Sequence, residues 1–117
     1  MNHIHNQPFE YLTADLELVD VDMQLDIQNI DYKCDSFDLI LCNHVLEHVP
    51  NDYKALKELY RILKHSGIAI ITVPGNWCIE KIIEYDYPDG NGHYRDYGLN
   101  LFSILNGIFS TIKTIVL

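Results

Sequence analysis

A short apolar run that turns abruptly polar lies between Ser36 and Pro50, and it constrains the fold more than any other stretch of the chain. Residues Phe37–Cys42 are almost continuously apolar, which is typical of a strand buried on both faces of a parallel sheet that helices cover. Polar residues follow at once: Asn43, His44, Glu47 and His48. Because ligands of open α/β sheets bind beyond the carboxyl ends of the strands, this position predicts a functional site.

The next stretch predicts a helix and then a second buried strand. Within Asn51–Lys64, apolar side chains recur at the spacing of one helix face, with Pro50 as a start signal and Gly67 as a stop signal. The apolar face consists of Leu56, Leu59, Tyr60 and Leu63, and the residues predicted to face away are Lys54, Lys57, Glu58 and Arg61. Residues Ile68–Val73 then predict a strand, and a strand–helix–strand unit with short connections is expected to be parallel and right-handed.

The flanking segments predict one partial α/β domain at residues 9–117, after a flexible leader at residues 1–8. Aromatic and β-branched residues predict a strand at Phe9–Leu16, and apolar–polar alternation predicts a half-exposed strand that ends at Asp26. About four to seven residues separate these strands, too few for the usual crossover helix. The remaining predicted elements are a short helix at Trp77–Ile83, a loop at Tyr85–Tyr97, a helix at Leu99–Phe109 and a strand at Thr111–Leu117.

Composition limits the partners and the compartment. The 117 residues carry 17 acidic and 8 basic side chains, a net charge of −9, and this disfavours nucleic acid because its phosphates would be repelled. No apolar run approaches the ~20 residues that span a bilayer, and the first residues lack the layout of a signal peptide, so a cytoplasmic location without membrane association is expected. The cysteines Cys34, Cys42 and Cys78 form no C-x-x-C pair, which fits free thiols in a reducing compartment.

Residues 44–48 also satisfy the H-x-x-E-H pattern of inverted zinc peptidases. Such a site needs both histidines one helical turn apart on the same face, a glutamate base and a further protein ligand. Here Pro50 ends any helix within two residues, and the pattern begins at the end of a strand. These features disfavour a metallopeptidase, and no metal is predicted.

The stretch Ser36–Val49 resembles the fourth-strand region of class I S-adenosylmethionine-dependent methyltransferases of the type 11-like group. The resemblance continues through Leu56–Gly67, similar to an "lkElyRvLkpgG" helix, and Ile68–Pro74, similar to a strand that ends in proline. Residues Gly92–Gly98 are a looser match to a "dHvRxYG" segment. The resemblance implies an incomplete Rossmann-like fold, a mostly parallel sheet flanked by helices, with S-adenosylmethionine as cofactor and a small molecule as methyl acceptor.

The resemblance also implies which residues hold the cofactor. Asp15, at the end of the Phe9–Leu16 strand, would accept hydrogen bonds from the ribose hydroxyls, as carboxylates do in dinucleotide folds. Asp26 would accept a hydrogen bond from the adenine amino group, with the backbone of Ile27 against the ring, and Asn43 and His44 would face the sulfonium and the amino-acid tail. The alternatives are a solvated turn carboxylate for Asp15 and turn or cap chemistry for Asp26.

Methyl transfer makes modest chemical demands on the protein. The enzyme holds a nucleophile in line with an activated methyl group and excludes water, so proximity supplies most of the rate. A general base is needed only where the acceptor loses a proton, and the candidates are His48, Glu47 and His93. Arg95, next to Tyr94, is a candidate for binding an anionic substrate, and a structural ion pair is the alternative for its guanidinium.

The chain departs from the family pattern in lacking two features. The family's first strand, with the acidic-x-Gly-x-Gly loop after it, is not found, and its last strand has no counterpart. A sheet without its central strand must pair the neighbouring strands directly or accept a strand from another chain, so a homo-oligomer that completes the sheet is one expectation. Two functions stay open: a methyltransferase that acts on a small molecule and is either truncated or completed by a partner, and a catalytically inactive methyltransferase-like module that acts in protein association.

Overall fold

A computed structural model describes residues 26–109 and 111–112 of the chain. Its central unit consists of strand β1 (Phe37–Asn43), helix α1 (Asp52–Ile62) and strand β2 (Leu63–Thr72), and the two strands pair in parallel, as predicted. The predicted leader and first two strands lie outside the described residues, apart from Asp26, and so does the predicted terminal strand apart from residues 111–112.

Helix α1 begins where the sequence signals place it and ends earlier than predicted. The side chain of Asn51 caps its first turn by accepting a hydrogen bond from the backbone N–H of Lys54 at 3.1 Å. The helix ends at Ile62, because Leu63 is already extended and pairs with Phe37 of β1. The expected stop at Gly67 therefore lies inside β2, in a register irregularity between the Phe37–Leu63 and Leu39–Ile68 pairs.

Two charged residues of α1 predicted to face away from the protein bind the chain segment that precedes β1. Glu58 accepts a hydrogen bond from the backbone N–H of Ile30 at 2.7 Å, and Arg61 donates to the carbonyl oxygens of Ile30 and Tyr32, both at 2.7 Å. The two side chains also pair with each other, with 2.8 Å between Nε of Arg61 and Oε1 of Glu58. The prediction was wrong because backbone groups outside regular structure need partners, and α1 supplies them.

The Glu58 contacts predict a pH-dependent contribution to stability. The hydrogen bond from Arg61 lowers the pKa of Glu58 below its ordinary value of 4.5. A depressed folded-state pKa adds stability that is present above the unfolded value and lost as pH falls through the folded value. We expect Glu58→Gln to lower the free energy of unfolding by about 1–2 kcal/mol at pH 7, and the difference from the parent to shrink below pH 4.5. Urea denaturation of the variant and the parent at several pH values measures this difference.

The matched control for this variant is Glu80→Gln, which alters an exposed glutamate elsewhere in the chain. This change should stay within about 0.5 kcal/mol of the parent at every pH. An equal effect of both variants, or a Glu58 effect that grows as the pH falls, would contradict the assigned hydrogen bonds.

Among the described residues, elements cover the sheet formed by β1 and β2 on one face only, which corrects the prediction of a strand buried on both faces. Cys42 is buried in the core with helix α1, and Ile40 and Ile71 pack against the same cluster. The opposite face is apolar and open to solvent, with Leu41 69% and Ile68 62% exposed. The other exposed members of this face are Leu39 and Ile70. An apolar run thus identifies the strand but does not tell which of its faces another element covers.

The remaining elements in the described part of the chain are a short hairpin and a second helix. Strands β3 (Ile83–Glu84) and β4 (Arg95–Asp96) pair antiparallel, so β4 lies within the segment predicted as a loop. The predicted helix at Trp77–Ile83 does not form, because the carbonyl oxygens of Ile79 and Glu80 accept hydrogen bonds from Leu99 and Asn100 instead. The last predicted helix is confirmed as α2 (Leu101–Ile108).

Candidate functional site at the carboxyl edge of the sheet

The carboxyl ends of β1 and β2 meet at Asn43 and Thr72, which are paired in register. The hydroxyl of Thr72 donates a hydrogen bond to Oδ1 of Asn43. The backbone N–H of His44 donates to the carbonyl oxygen of Thr72 at 2.9 Å. His44 then adopts a left-handed conformation, with φ of 54°, which turns the chain sharply out of the sheet. Asn43 and His44 are therefore fixed at the edge where ligands of such sheets bind.

A cluster of titratable side chains lies directly beyond this turn. Glu47, in the short 3-10 helix Leu46–His48, is 1% exposed. Its Oε2 lies 3.7 Å from Nδ1 of His44 and 3.7 Å from Nε2 of His48, whose rings are partly open to solvent. The ring of His93 packs edge-on against that of His48, with 4.8 Å between centroids. The structure thus brings together the three residues predicted as candidate bases.

The loop at residues 89–93 holds His93 in this cluster. The carboxylate of Asp89 accepts hydrogen bonds from the backbone N–H groups of His93 at 3.0 Å and Asn91 at 2.8 Å, and these bonds lower the pKa of Asp89. Gly92 adopts φ of 77°, and its carbonyl oxygen lies 3.1 Å from Nδ1 of His48. Sequence reasoning missed Asp89 and Gly92, although an Asp-Gly-Asn-Gly run is itself a turn signal.

Arg95 joins the hairpin to the loop that carries Glu47. Its guanidinium is buried and donates to the carbonyl oxygens of Leu46, Val49 and Pro50 at 2.7–2.8 Å, while its Nε donates to the Glu84 carboxylate at 3.0 Å. The backbone N–H of Tyr94 adds a 2.7 Å bond to the carbonyl oxygen of Glu47. These contacts correspond to the alternative given for Arg95, a structural ion pair. The substrate-binding role of Arg95 and Tyr94 stays a prediction.

The adenine-site candidates lie in a turn that contacts the start of α1. Oδ1 of Asp26 accepts hydrogen bonds from the backbone N–H and the side-chain amide of Gln28, and Ile27 is buried in the core. Gln28 in turn accepts a hydrogen bond from the backbone N–H of Asn51 at 3.0 Å. The turn chemistry expected for Asp26 is therefore present, and its adenine-binding role stays a prediction. Asp15 lies outside the described residues.

A family comparison identifies the kind of domain that carries this site. The family model described as "Methyltransferase domain" matches residues 4–71, more than half of the chain. The chain belongs to this methyltransferase family. Over 47 residues it is also 51% identical to the uncharacterized protein MJ0638 of Methanocaldococcus jannaschii, a match that covers 40% of this chain and 20% of that protein.

Solved structures show the same fold at low sequence identity. The chain is similar to BH2331 of Bacillus halodurans, a protein named as a methyltransferase, with a TM-score of 0.58 and 17% identity over 74% of this chain and 39% of that one. It is also similar to the YcgJ protein of Bacillus subtilis, with a TM-score of 0.52 and 20% identity over 72% of this chain and 38% of that one. A third similar structure is the cyclase SpnF, with a TM-score of 0.56 and 19% identity over 75% of this chain and 31% of that one.

These similarities confirm the predicted fold class, a partial Rossmann-like methyltransferase fold. The chain spans about a fifth of the curated relative and between 31% and 39% of the three solved chains. Within the described residues, the longest helix is α1 with 11 residues, and no helix is long and apolar enough to cross a membrane.

Proposed function

We propose that this chain is an S-adenosylmethionine-dependent methyltransferase, or a part of one, that methylates a small molecule. The observation that carries the proposal is the arrangement at the ends of β1 and β2, where Thr72 fixes Asn43 and His44 at the common carboxyl edge of two parallel strands. In α/β sheets this edge is where ligands bind. The net charge of −9 favours a small acceptor over a nucleic acid.

The chemistry of the residues at this edge fits the cofactor. The amide of Asn43 and the backbone and ring of His44 are polar groups exposed at the strand end, suited to the amino-acid tail. Asp26 is exposed and offers a carboxylate for an amino group, and Ile27 beside it lies in the core. Asp15 is the proposed ligand of the ribose hydroxyls. When bound, S-adenosylmethionine supplies a methyl group activated by a positively charged sulfur.

His48 is the base candidate with the most favourable surroundings. A carbonyl oxygen only accepts hydrogen bonds, so the contact with Gly92 places the ring proton of His48 on Nδ1 and leaves a lone pair on Nε2. Nε2 can then accept a proton from an acceptor hydroxyl or amine as the acceptor attacks the methyl carbon. The Glu47 carboxylate, 3.7 Å from Nε2, would stabilise the resulting imidazolium.

Cofactor binding tests the proposal. We expect S-adenosylhomocysteine to raise the melting temperature of the chain, because a ligand at 100 times its Kd adds about 2.7 kcal/mol to the stability of the native state. For a domain of this size such a gain corresponds to a shift on the order of 10 °C. Differential scanning fluorimetry measures the shift, and calorimetric titration gives the affinity.

A matched pair of variants assigns the binding to the sheet edge. Asn43→Ala should weaken binding at least about tenfold, since one good hydrogen bond to a charged group contributes about 1.5–3 kcal/mol. Asn106→Ala, on the exposed side of α2, should leave the affinity unchanged. A folded chain that shows no shift at saturating ligand would sink the proposal for this chain.

One observation favours the second function, a catalytically inactive module that acts in association. The exposed apolar face of Leu39, Leu41, Ile68 and Ile70 is unusual for a soluble monomer, and a second copy of the chain would bury it. Under this alternative, S-adenosylhomocysteine does not bind and the chain sediments as a dimer. Leu41→Glu would then return it to a monomer, whereas a parent chain that is monomeric at all concentrations excludes self-association through this face.

A further inference from the structure

We propose that Glu47, His48 and His93 form a binding site for a divalent transition-metal ion. Each residue offers one ligand atom, and the three atoms all lie within 4.8 Å of one another. Two imidazoles and one carboxylate are a donor set that suits zinc and the neighbouring first-row metals. The inference concerns the cluster itself and does not depend on cofactor binding.

The first argument is the state of the Glu47 carboxylate. The residue is 1% exposed, and its Oε1 is buried without a hydrogen-bond partner among the described residues. Its Oε2 faces two imidazole nitrogens at 3.7 Å, which is longer than a hydrogen bond. A buried carboxylate in this condition is costly unless a cation neutralises it. A metal ion would satisfy the carboxylate and the imidazoles at the same time.

The second argument is the orientation of His48. Its Nδ1 donates to the carbonyl oxygen of Gly92, so in the neutral ring Nε2 carries a lone pair directed at the side of Glu47. Two electron-pair donors that face each other repel unless a cation lies between them. Metal-binding histidines commonly donate their second ring N–H to a backbone carbonyl, which fixes both the tautomer and the ring plane. The Gly92 contact has this form.

The third argument is the way His93 reaches the cluster. The Asp89 carboxylate accepts a hydrogen bond from the backbone N–H of His93. The backbone N–H of the next residue, Tyr94, donates to the carbonyl oxygen of Glu47 in the 3-10 helix. Two independent hydrogen bonds therefore hold His93, which comes from a distant segment of the chain, beside Glu47 and His48. Two ligand atoms of a tetrahedral zinc site lie about 3.4 Å apart. The 3.7 Å Glu47–His48 pair is already close to this distance. Because all three atoms lie within 4.8 Å of one another, no separation must close by more than about 1.4 Å.

Such a site differs from that of a zinc peptidase. The residues 44–48 form a strand end and a 3-10 turn instead of an α-helix, and the buried glutamate is a ligand instead of a base. Three protein ligands leave at least one coordination position for water or for an oxygen of the acceptor. A coordinated hydroxyl has a lowered pKa, so a bound metal would take over the role of the His48 base.

Zinc titration of the chelator-treated chain tests the site. The parent for this experiment carries His3→Ala and His5→Ala, because an alternating histidine pair near the N-terminus can itself chelate metal. We expect one Zn²⁺ per chain by competition with a chromophoric chelator. His93→Gln and His48→Gln should each weaken binding at least about tenfold, since loss of even an outer-sphere partner costs 10–100-fold. His65→Gln, an exposed histidine of β2, should not change it.

A Co²⁺ spectrum supplies a second readout that does not depend on activity. A tetrahedral Co²⁺ site gives an intense visible band, which should appear in the parent and in His65→Gln and vanish in His93→Gln. Circular dichroism confirms that the variants are folded, and His93 is partly exposed, so its replacement leaves the core intact. Absence of zinc binding in the parent, or binding that His93→Gln and His48→Gln leave undiminished, overturns the proposal.

Discussion

Replacing Arg95 by methionine is expected to lower the free energy of unfolding by about 3–5 kcal/mol, the usual cost of breaking a buried ion pair by removing one partner. The side chain is 2% exposed and binds three carbonyl oxygens of the loop between β1 and α1. Its Nε also lies 3.6 Å from Oδ2 of Asp52, which accepts a hydrogen bond from the buried Tyr97 hydroxyl at 2.6 Å. Methionine has similar length but donates no hydrogen bond, so these oxygens lose the guanidinium, although Asp52 keeps the Tyr97 hydroxyl and Leu46 keeps the backbone N–H of Val49. Urea denaturation at pH 7 measures the loss.

Two further variants separate this effect from a general loss of charge. Lys64→Met removes a cation from an exposed pair with Asp38, separated by 3.4 Å, and should change stability by less than about 1 kcal/mol. Arg95→Lys keeps the charge but lacks the planar fork that reaches several carbonyls at once, so it should recover only part of the loss. If Arg95→Met costs no more than Lys64→Met, the guanidinium contacts do not stabilise the fold.

The Arg95 contacts also connect stability to the candidate site. The three carbonyl oxygens belong to Leu46, Val49 and Pro50, which bracket Glu47 and His48. A chain without these bonds would lose the fixed position of the carboxylate relative to the imidazoles. Under either proposal, the base or the metal site, we therefore expect Arg95 to act as a positioning residue for the loop that carries Glu47 and His48.

The central strand–helix–strand unit could be predicted because its signals are local. Apolar runs, helical spacing and the Asn51 cap are all encoded within a few residues of the element that they specify. The end of α1 was predicted too late because Leu63 pairs with Phe37, a contact across 26 positions of sequence that no local signal shows. The prediction that Glu58 and Arg61 face away from the protein failed for the same reason, because the backbone groups that they bind lie about 30 residues earlier.

The candidate site shows the same limit. Asn43, His44, Glu47 and His48 could be placed together because they follow one strand in sequence. His93 reaches them through a hairpin and a turn held mainly by backbone bonds, in a segment without periodic apolar residues that was predicted as a loop. The sequence left open whether Arg95 binds an anionic substrate or forms a structural ion pair. Burial decides whether a guanidinium is available to a ligand, and burial depends on elements that are distant in the chain.

Cys42 should react with iodoacetamide about 1000-fold more slowly than Cys34 and Cys78 in the native chain. Cys42 is 3% exposed and the other two thiols are exposed. Burial, and then the nearby Glu47 carboxylate, raise the pKa of Cys42 from 9.0 to about 12. Only the thiolate is nucleophilic, so a pKa three units higher leaves about 1000-fold less reactive thiolate at pH 8. Peptide mass spectrometry after timed alkylation measures the three rates, and in urea they should become equal.

The labelling of Cys42 also reports on the loop that follows it. Cys42 lies one residue before Asn43 at the end of β1, and Glu47 lies close enough to raise its pKa. If Arg95 fixes that loop, Arg95→Met should raise the labelling rate of Cys42 under conditions in which the variant is still folded, whereas Lys64→Met should not.

Equal rates for Cys42 and Cys78 in the native parent would mean that the carboxyl end of β1 is open to solvent. The buried carboxylate beside it would then lose the low-polarity surroundings on which both the base and the metal proposals depend.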